Sequence, residues 1–267
     1  MLHFKRSARA GRIRFFVLPR RWLAAAGTVL AAAAIFLVVN YPAAVGASAT
    51  ARQLPIYCVQ REQKVVAISF DAAWGNEDTQ QLIDILARYQ VPATFFVVGQ
   101  WADKYPESVK ALHDAGHQVM NHSNTHAHYP QLSAQEVVDD LNACNDKIEA
   151  ITGVRPTLVR PPYGDYDDRS ISAIRSAGME PIQWDVDSLD WKDLPADQIV
   201  KRVTEKVQPG SIVLFHNAAK HTPEALPTIL ETLLREGYTF LPISDLLLPG
   251  QYGQDYTIDH TGRQCPC

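Results

Sequence analysis

The 267-residue sequence predicts an α/β fold, a closed or nearly closed (β/α)7-type barrel preceded by an N-terminal transmembrane or signal segment. Three observations carry that expectation. From Lys64 onward, short apolar runs alternate with stretches of helical periodicity, the pattern of a parallel sheet covered by helices. The length suits one core, since such a barrel commonly takes about 250 residues. The polar residues of chemical interest each close an apolar run, which puts them at the carboxyl ends of strands, where barrels build their sites.

Val65 to Phe70 is an apolar run suited to a buried parallel strand, and Leu82, Ile85, Leu86 and Tyr89 then recur at helical spacing before Pro92. Thr94–Val98 is the next strand. A helix near Pro106–Ala115 ends at Gly116, and His117–Met120 leads to two histidines. Ser133 followed by Glu136 is a capping-box signature for a long helix. In that helix Cys144 falls in series with Val137, Leu141 and Ile148, so it reads as buried structure. Thr157–Val159 delivers Arg160, a helix spans Asp168–Ala177, and Pro181–Trp184 reads as a strand. Ile199, Val203 and Val207 mark a helix, Ser211–Phe215 a strand, Pro223–Glu236 a helix and Tyr238–Pro242 the last strand. No glycine-rich phosphate loop follows the first strand, which disfavours nucleotide binding.

Charge divides the chain. Residues 1–49 hold seven Lys/Arg and no Asp or Glu, leaving 18 of the 25 basic residues against 29 acidic ones. An acidic domain argues against nucleic acid as partner. We read residues 1–21 as a basic cytoplasmic tail, 22–40 as a transmembrane or signal segment, 41–61 as a linker, 62–247 as the domain and 248–267 as a C-terminal tail. Trp22–Val39 is uncharged and apolar over about 18 residues, near the lower limit for a span. The basic flank predicts a single pass with the domain outside; a cut near Ala49 would make it secreted instead. Cys58, Cys265 and Cys267 then face an oxidising side, with a bridge from Cys58 to the tail left open.

His122 and His126, four apart after a strand, suit two imidazoles facing one divalent metal. Asp71 ends a strongly apolar strand, where a carboxylate is costly unless it is paired or functional. It fits a general base that takes a proton from an attacking water. Arg160 fits a fork-shaped partner that keeps Asp71 ionised and aimed. The Tyr163 N–H, in a loop stiffened by Pro161 and Pro162, suits an oxyanion. His216 fits a general acid whose pKa is raised by a carboxylate such as Asp190. Trp191 would shield that pair and wall an acetyl methyl. Each residue has a plain structural alternative: a turn carboxylate, a salt-bridge arginine, surface or core histidines. His128 reads as lining the cleft or surface.

In order, Ser69-Phe70-Asp71-Ala72-Ala73, His122-Ser123-Asn124-Thr125-His126, Arg160-Pro161-Pro162-Tyr163, Asp187-Ser188-Leu189-Asp190-Trp191 and Leu214-Phe215-His216 resemble the five motifs of the polysaccharide deacetylase family, the NodB homology domain or carbohydrate esterase family four. The resemblance covers roughly residues 62–245. It implies a distorted barrel and divalent-metal hydrolysis of N-acetyl groups on amino sugars. The metal would be zinc, or else cobalt, nickel or manganese. It carries base onto Asp71, metal ligands onto His122 and His126, acid onto His216, and places Leu214 at the substrate. The partner implied is peptidoglycan or a similar N-acetylated glycan. Four motifs match fully. The first departs, because Ala72 stands where the family has its third metal ligand. The form Phe70–Thr79 is similar to the spore-associated branch. Three explanations stay open: Asp71 joins the metal, Glu77 or Asp78 reaches the site, or the metal is held weakly and activity is low. A non-catalytic glycan-binding role is the competing reading.

Overall fold

The computed structural model describes residues 52–267. The expected transmembrane or signal segment at 22–40 lies outside them, and among the described residues no helix is long and apolar enough to cross a membrane.

Apolar runs become strands where β-branched and aromatic residues cluster. In chain order the strands are β1 (Cys58–Val59), β2 (Val65–Ala72), β3 (Thr94–Val97), β4 (Gln118–Asn121), β5 (Leu158–Val159), β6 (Glu180–Pro181), β7 (Val186–Asp187), β8 (Ser211–His216), β9 (Thr239–Phe240), β10 (Tyr256–Ile258) and β11 (Arg263–Pro266). Parallel pairing runs β8–β2–β3–β4–β5–β6. The chain from β6 to β7 then bends, and β7 pairs with β8, which curls the sheet round on itself. β9 pairs only with Val65 and Val66, on the edge of β2 below β3. Four of these parallel strands, β5, β6, β7 and β9, are only two residues long, which makes the expected barrel distorted.

Helices α1 (Thr79–Arg88), α2 (Gly99–Lys104), α3 (Pro106–Asp114), α4 (Ala134–Thr152), α5 (Asp168–Ser176), α6 (Ala196–Thr204), α7 (Thr222–Arg235) and α8 (Ile243–Leu246) complete the domain. The capping box at Ser133 and Glu136 is formed, and Gly153 ends α4 in the left-handed region. Cys144 is fully buried, as its periodicity implied.

Period-two alternation along β2 decides the site. Val66, Ile68, Phe70 and Ala72 face the helix layer in one apolar cluster, and Phe70 stacks between Phe95 at 4.7 Å and Phe215 at 5.5 Å. Such ring pairs add about 0.5–1.5 kcal/mol each beyond burial. Ser69 and Asp71 therefore point the other way, inward.

Three sequence assignments change. Residues 56–59, read as linker, are paired: Ile56 bridges Ile182, and Cys58 faces Ser211 of β8. Residues 256–266, read as tail, form a hairpin whose β11 lies parallel to β1. Cys58 there stands opposite Arg263, and Cys58, Cys265 and Cys267 are free thiols. Pro181–Trp184, read as one strand, is strand only in part: Pro181 ends β6, Ile182 makes a single bridge to Ile56, and Gln183 and Trp184 lead to β7 without strand structure.

Candidate active site

The carboxyl ends of β2, β4 and β8 and the loops after β5 and β7 surround a cavity of about 510 Å³. Asp71, His122, His126, Tyr163, Trp191, Leu214 and His216, all expected at the site, line it. Trp74, Trp184 and Asp187 line it as well. Arg160 and Asp190 stand behind the wall, both fully buried.

Arg160 Nη1 donates to Asp71 Oδ1 at 2.7 Å. The expected two-pronged contact does not form. The other arm, Nη2, donates to Ser69 Oγ at 2.9 Å and to the Gln183 carbonyl at 3.2 Å. The guanidinium lies over the Phe96 ring, 4.2 Å from its centroid. Burial alone would raise the Asp71 pKa, but the Arg160 charge, with His122 and His216, holds it below the usual carboxylate value. Asp71 Oδ2 is left facing His122 Nε2 at 3.5 Å.

The histidine loop is set from below. Asn121 at the end of β4 donates to Leu141 O and Asn145 Oδ1 on α4, and its own Oδ1 accepts the Ser123 N–H. Asp140 accepts the Asn124 N–H. His122 Nδ1 bonds the Arg160 carbonyl at 2.7 Å, so Nδ1 carries the proton and the Nε2 lone pair turns to the cavity. The two imidazole centroids are 5.0 Å apart. Burial lowers both pKa values, that of His126 to about 4, so both rings are neutral donors near neutrality.

These residues fit a divalent cation held at two imidazoles, with Asp71 Oδ2 the nearest carboxylate oxygen. A dedicated third donor is lacking, and among the described residues no group of three or more His, Cys, Asp or Glu forms a metal cluster. Ala72 is 1% exposed on the opposite face of β2. The proposed substitutes do not reach. Glu77 accepts its neighbour's N–H at Asn76, Asp78 accepts the Ala218 N–H, and neither lines the cavity.

The acid side is more completely built. His216 Nδ1 bonds Asp190 Oδ1 at 2.8 Å, leaving Nε2 for the cavity. Asp190 also accepts the N–H groups of His216 and Trp191 and the Thr222 hydroxyl. Burial works against protonation of His216, but Asp190 outweighs it and the pKa is raised. Trp74 stacks on His216, centroids 6.0 Å apart.

Backbone strain gathers here. Ser123, His126, Tyr163, Leu189 and Ala218 all take positive φ without being glycine. Tyr163 is 61% exposed, and its N–H takes part in neither hydrogen bond of its turn, those of Gly164 to Pro161 O and Asp165 to Pro162 O. Its ring stacks on His128 at 4.0 Å and meets His126 edge-on at 4.4 Å. His128 is bonded to Asp165 and does not line the cavity.

Thr222 and Asn217 stand in none of the five motifs, and Ser69 and Trp74 stand in the first motif's stretch but were given no role there. Alternation along β2 could have found Ser69, two residues before Asp71 on the same face.

The family model described as polysaccharide deacetylase matches residues 59–182. The peptidoglycan-N-acetylmuramic acid deacetylase PdaA of Bacillus subtilis is 30% identical over 199 residues, 72% of this chain and 74% of that protein. The chain belongs to the polysaccharide deacetylase family. The peptidoglycan-N-acetylmuramic acid deacetylase PdaC of Bacillus subtilis is 38% identical over 188 residues, 70% of this chain. The chain spans only 40% of the length of that relative. Among solved structures, the wild-type BA3943 of Bacillus anthracis, described as a carbohydrate esterase family four pseudoenzyme, superposes with a TM-score of 0.70 at 36% identity. It covers 72% of this chain and 68% of that one. A BA3943 mutant described as having restored enzymatic activity matches at the same TM-score and 38% identity, covering 72% of this chain and 70% of its own.

Proposed function

We propose that this domain hydrolyses N-acetyl groups on amino sugars of peptidoglycan, releasing acetate and a free amine. The observation that carries the proposal is the pair of oppositely tuned groups in one cavity: Arg160 lowers the pKa of Asp71, and Asp190 raises that of His216.

The residues divide the work. Asp71 Oδ2 takes a proton from the attacking water. The oxygen that gains charge at the former carbonyl faces the Tyr163 N–H. His216 Nε2 gives its proton to the departing amine nitrogen as the C–N bond breaks, and Asp190 stabilises the imidazolium beforehand. Trp184, Trp191 and Leu214 supply apolar wall for the acetyl methyl. A divalent cation at His122 and His126 (zinc, or else cobalt, nickel or manganese) would polarise the acetyl carbonyl and lower the pKa of water.

One geometric fact favours a second reading, a non-catalytic glycan-binding role. With Oδ1 committed to Arg160, Asp71 has one oxygen left for two tasks, proton acceptor and third ligand. The likeness to a protein described as a pseudoenzyme supports the same alternative. Acetate release from peptidoglycan by the metal-supplied chain separates the two. Release that is lost in His216→Ala supports the enzyme; tight glycan binding with no release supports the binding role.

We further propose a single-pass placement through residues 22–40 with the domain outside, and a part in spore-cortex glycan, the latter supported only by the resemblance of Phe70–Thr79 to the spore-associated branch. Labelling of the domain by a membrane-impermeant reagent on intact cells tests the first. Unchanged cortex composition in a strain lacking the chain would remove the second.

A further inference from the structure

A second groove, of about 330 Å³, lies against the catalytic cavity and shares Ala73, Trp74 and His126 with it. Its other side is made by Gln100, Trp101, Lys104 and Tyr105, from α2 and the residue that follows it. No step of the proposed reaction uses it. We infer that this groove is a subsite for the sugar next to the reacting one on the same glycan strand. We infer also that it selects a sugar bearing a carboxylate, as the lactyl group of muramic acid does. The inference rests on the proposed glycan substrate.

The shared wall is a fixed ledge. Asn217 accepts the Ala73 N–H and donates to the carbonyls of Trp74 and Gly75, and the Trp101 indole N–H donates to the Gly75 carbonyl as well. Gly75 has φ +58, and a Cβ there would strike Glu77 and Ala218, so the ledge requires glycine. Trp74 on this ledge is 49% exposed. One part of it packs on His216 and His126, and the rest serves the groove. An aromatic wall with a few placed polar groups is the usual make-up of a small-ligand site, and its rigidity limits the ordering cost of binding.

Charge chooses the occupant. Lys104 Nζ sits 4.9 Å from the Tyr105 ring centroid. Its strongest interaction is with the Tyr105 side chain, and Glu77 acts on it only weakly; among the described residues it forms no ion pair with a carboxylate. Gln100 adds an amide that can donate or accept. A neutral N-acetylglucosamine unit leaves the ammonium unused, whereas a muramyl carboxylate meets it. The shared wall sets the two sugars side by side, so the groove orders the strand relative to the cavity.

The test is equilibrium binding of the intact chain to three oligosaccharides of equal length: peptide-free alternating muramyl–glucosaminyl strands, the same strands with the lactyl carboxylate amidated, and chitin oligomers. At low salt the acidic strand should bind about twofold to fivefold more tightly than its amidated form, the range for an exposed ion pair. Lys104→Met should bring that ratio to about one, and Lys104→Arg should keep it. A ratio of one in the wild type, or a ratio unchanged in Lys104→Met, overturns the subsite while leaving the glycan reading in place. Failure to bind any of the three overturns both. Because binding is the readout, the test holds whether or not the chain releases acetate.

Discussion

Around His216 every partner is in place: Asp190 takes four hydrogen bonds, from a ring nitrogen, two backbone N–H groups and a hydroxyl. Across the cavity Asp71 has one oxygen on Arg160 and the other 3.5 Å from His122 Nε2, with the methyl of Ala72 turned to the core. The acid half is over-determined, and the base half lacks one donor. On the proposed mechanism the difference teaches that an aimed base and a strong cation site are separable, because Arg160 fixes Asp71 Oδ1 without any contribution from residue 72.

The sharpest way to break the comparison is Asp71→Asn. Removing a general base should cost about 10²–10⁴ in kcat. It should also destabilise the domain by about 3–5 kcal/mol, because Arg160 is left charged and buried without its partner. Acetate release and urea denaturation measure the two effects. The sign with pH follows from the lowered Asp71 pKa. Its contribution is present above the unfolded carboxylate pKa and is lost as pH falls through the folded value. The variant should therefore lose less stability than the wild type on acidification. A mutant with full stability would show that Arg160 does not depend on Asp71.

Asp190→Asn tests the other half. Without that carboxylate His216 loses the interaction that raises its pKa, so the alkaline limb of the rate profile should move to lower pH. At neutral pH the rate should fall about a hundredfold, within the range for an acid catalyst. An unmoved limb would mean that another group supplies the proton.

Ala72→Asp probes the missing donor directly. At a position 1% exposed, a new carboxylate should destabilise the metal-free domain by roughly 1–3 kcal/mol. Zinc should restore part of that loss, so the Tm becomes more metal-dependent than in the wild type. A Tm that ignores zinc would place residue 72 outside the cation site altogether.

The smallest effect serves as a control. Ser133→Ala removes one arm of the α4 capping box and should cost about 1 kcal/mol of stability. Acetate release under native conditions should not change, because the cap lies at the solvent end of the helix.

The sequence made the strand-end residues legible because each long apolar run stops at a polar residue, as β2 does at Asp71 and β8 at His216. Alternating faces then aim those residues inward. The edges were not legible. Cys58–Val59 and Arg263–Pro266 are two to four residues long, too short for period two to register, and the pairing between them spans the whole domain. The stretch Pro181–Trp184 was read as one strand because Ile182 and Trp184 are apolar, yet its last backbone bond to a neighbouring segment is that of the Gln183 N–H to the Ile56 carbonyl. The second arm of Arg160 was assigned to Asp71 because a carboxylate usually takes both prongs; Ser69 offered only its place on the same face of β2, and the Gln183 carbonyl offered no mark at all. The aromatic groove beside Trp74 needed tertiary structure, since α2 and the β2 loop are more than twenty residues apart.

The most direct test of the central claim is cation content and acetate release on the intact chain, wild type beside His126→Ala. The account predicts a weakly held, exchangeable cation that supports slow acetate release from peptidoglycan, with both lost in the mutant. A wild-type chain that binds no zinc, cobalt, nickel or manganese and releases no acetate, while still holding glycan, would contradict it and leave the binding role.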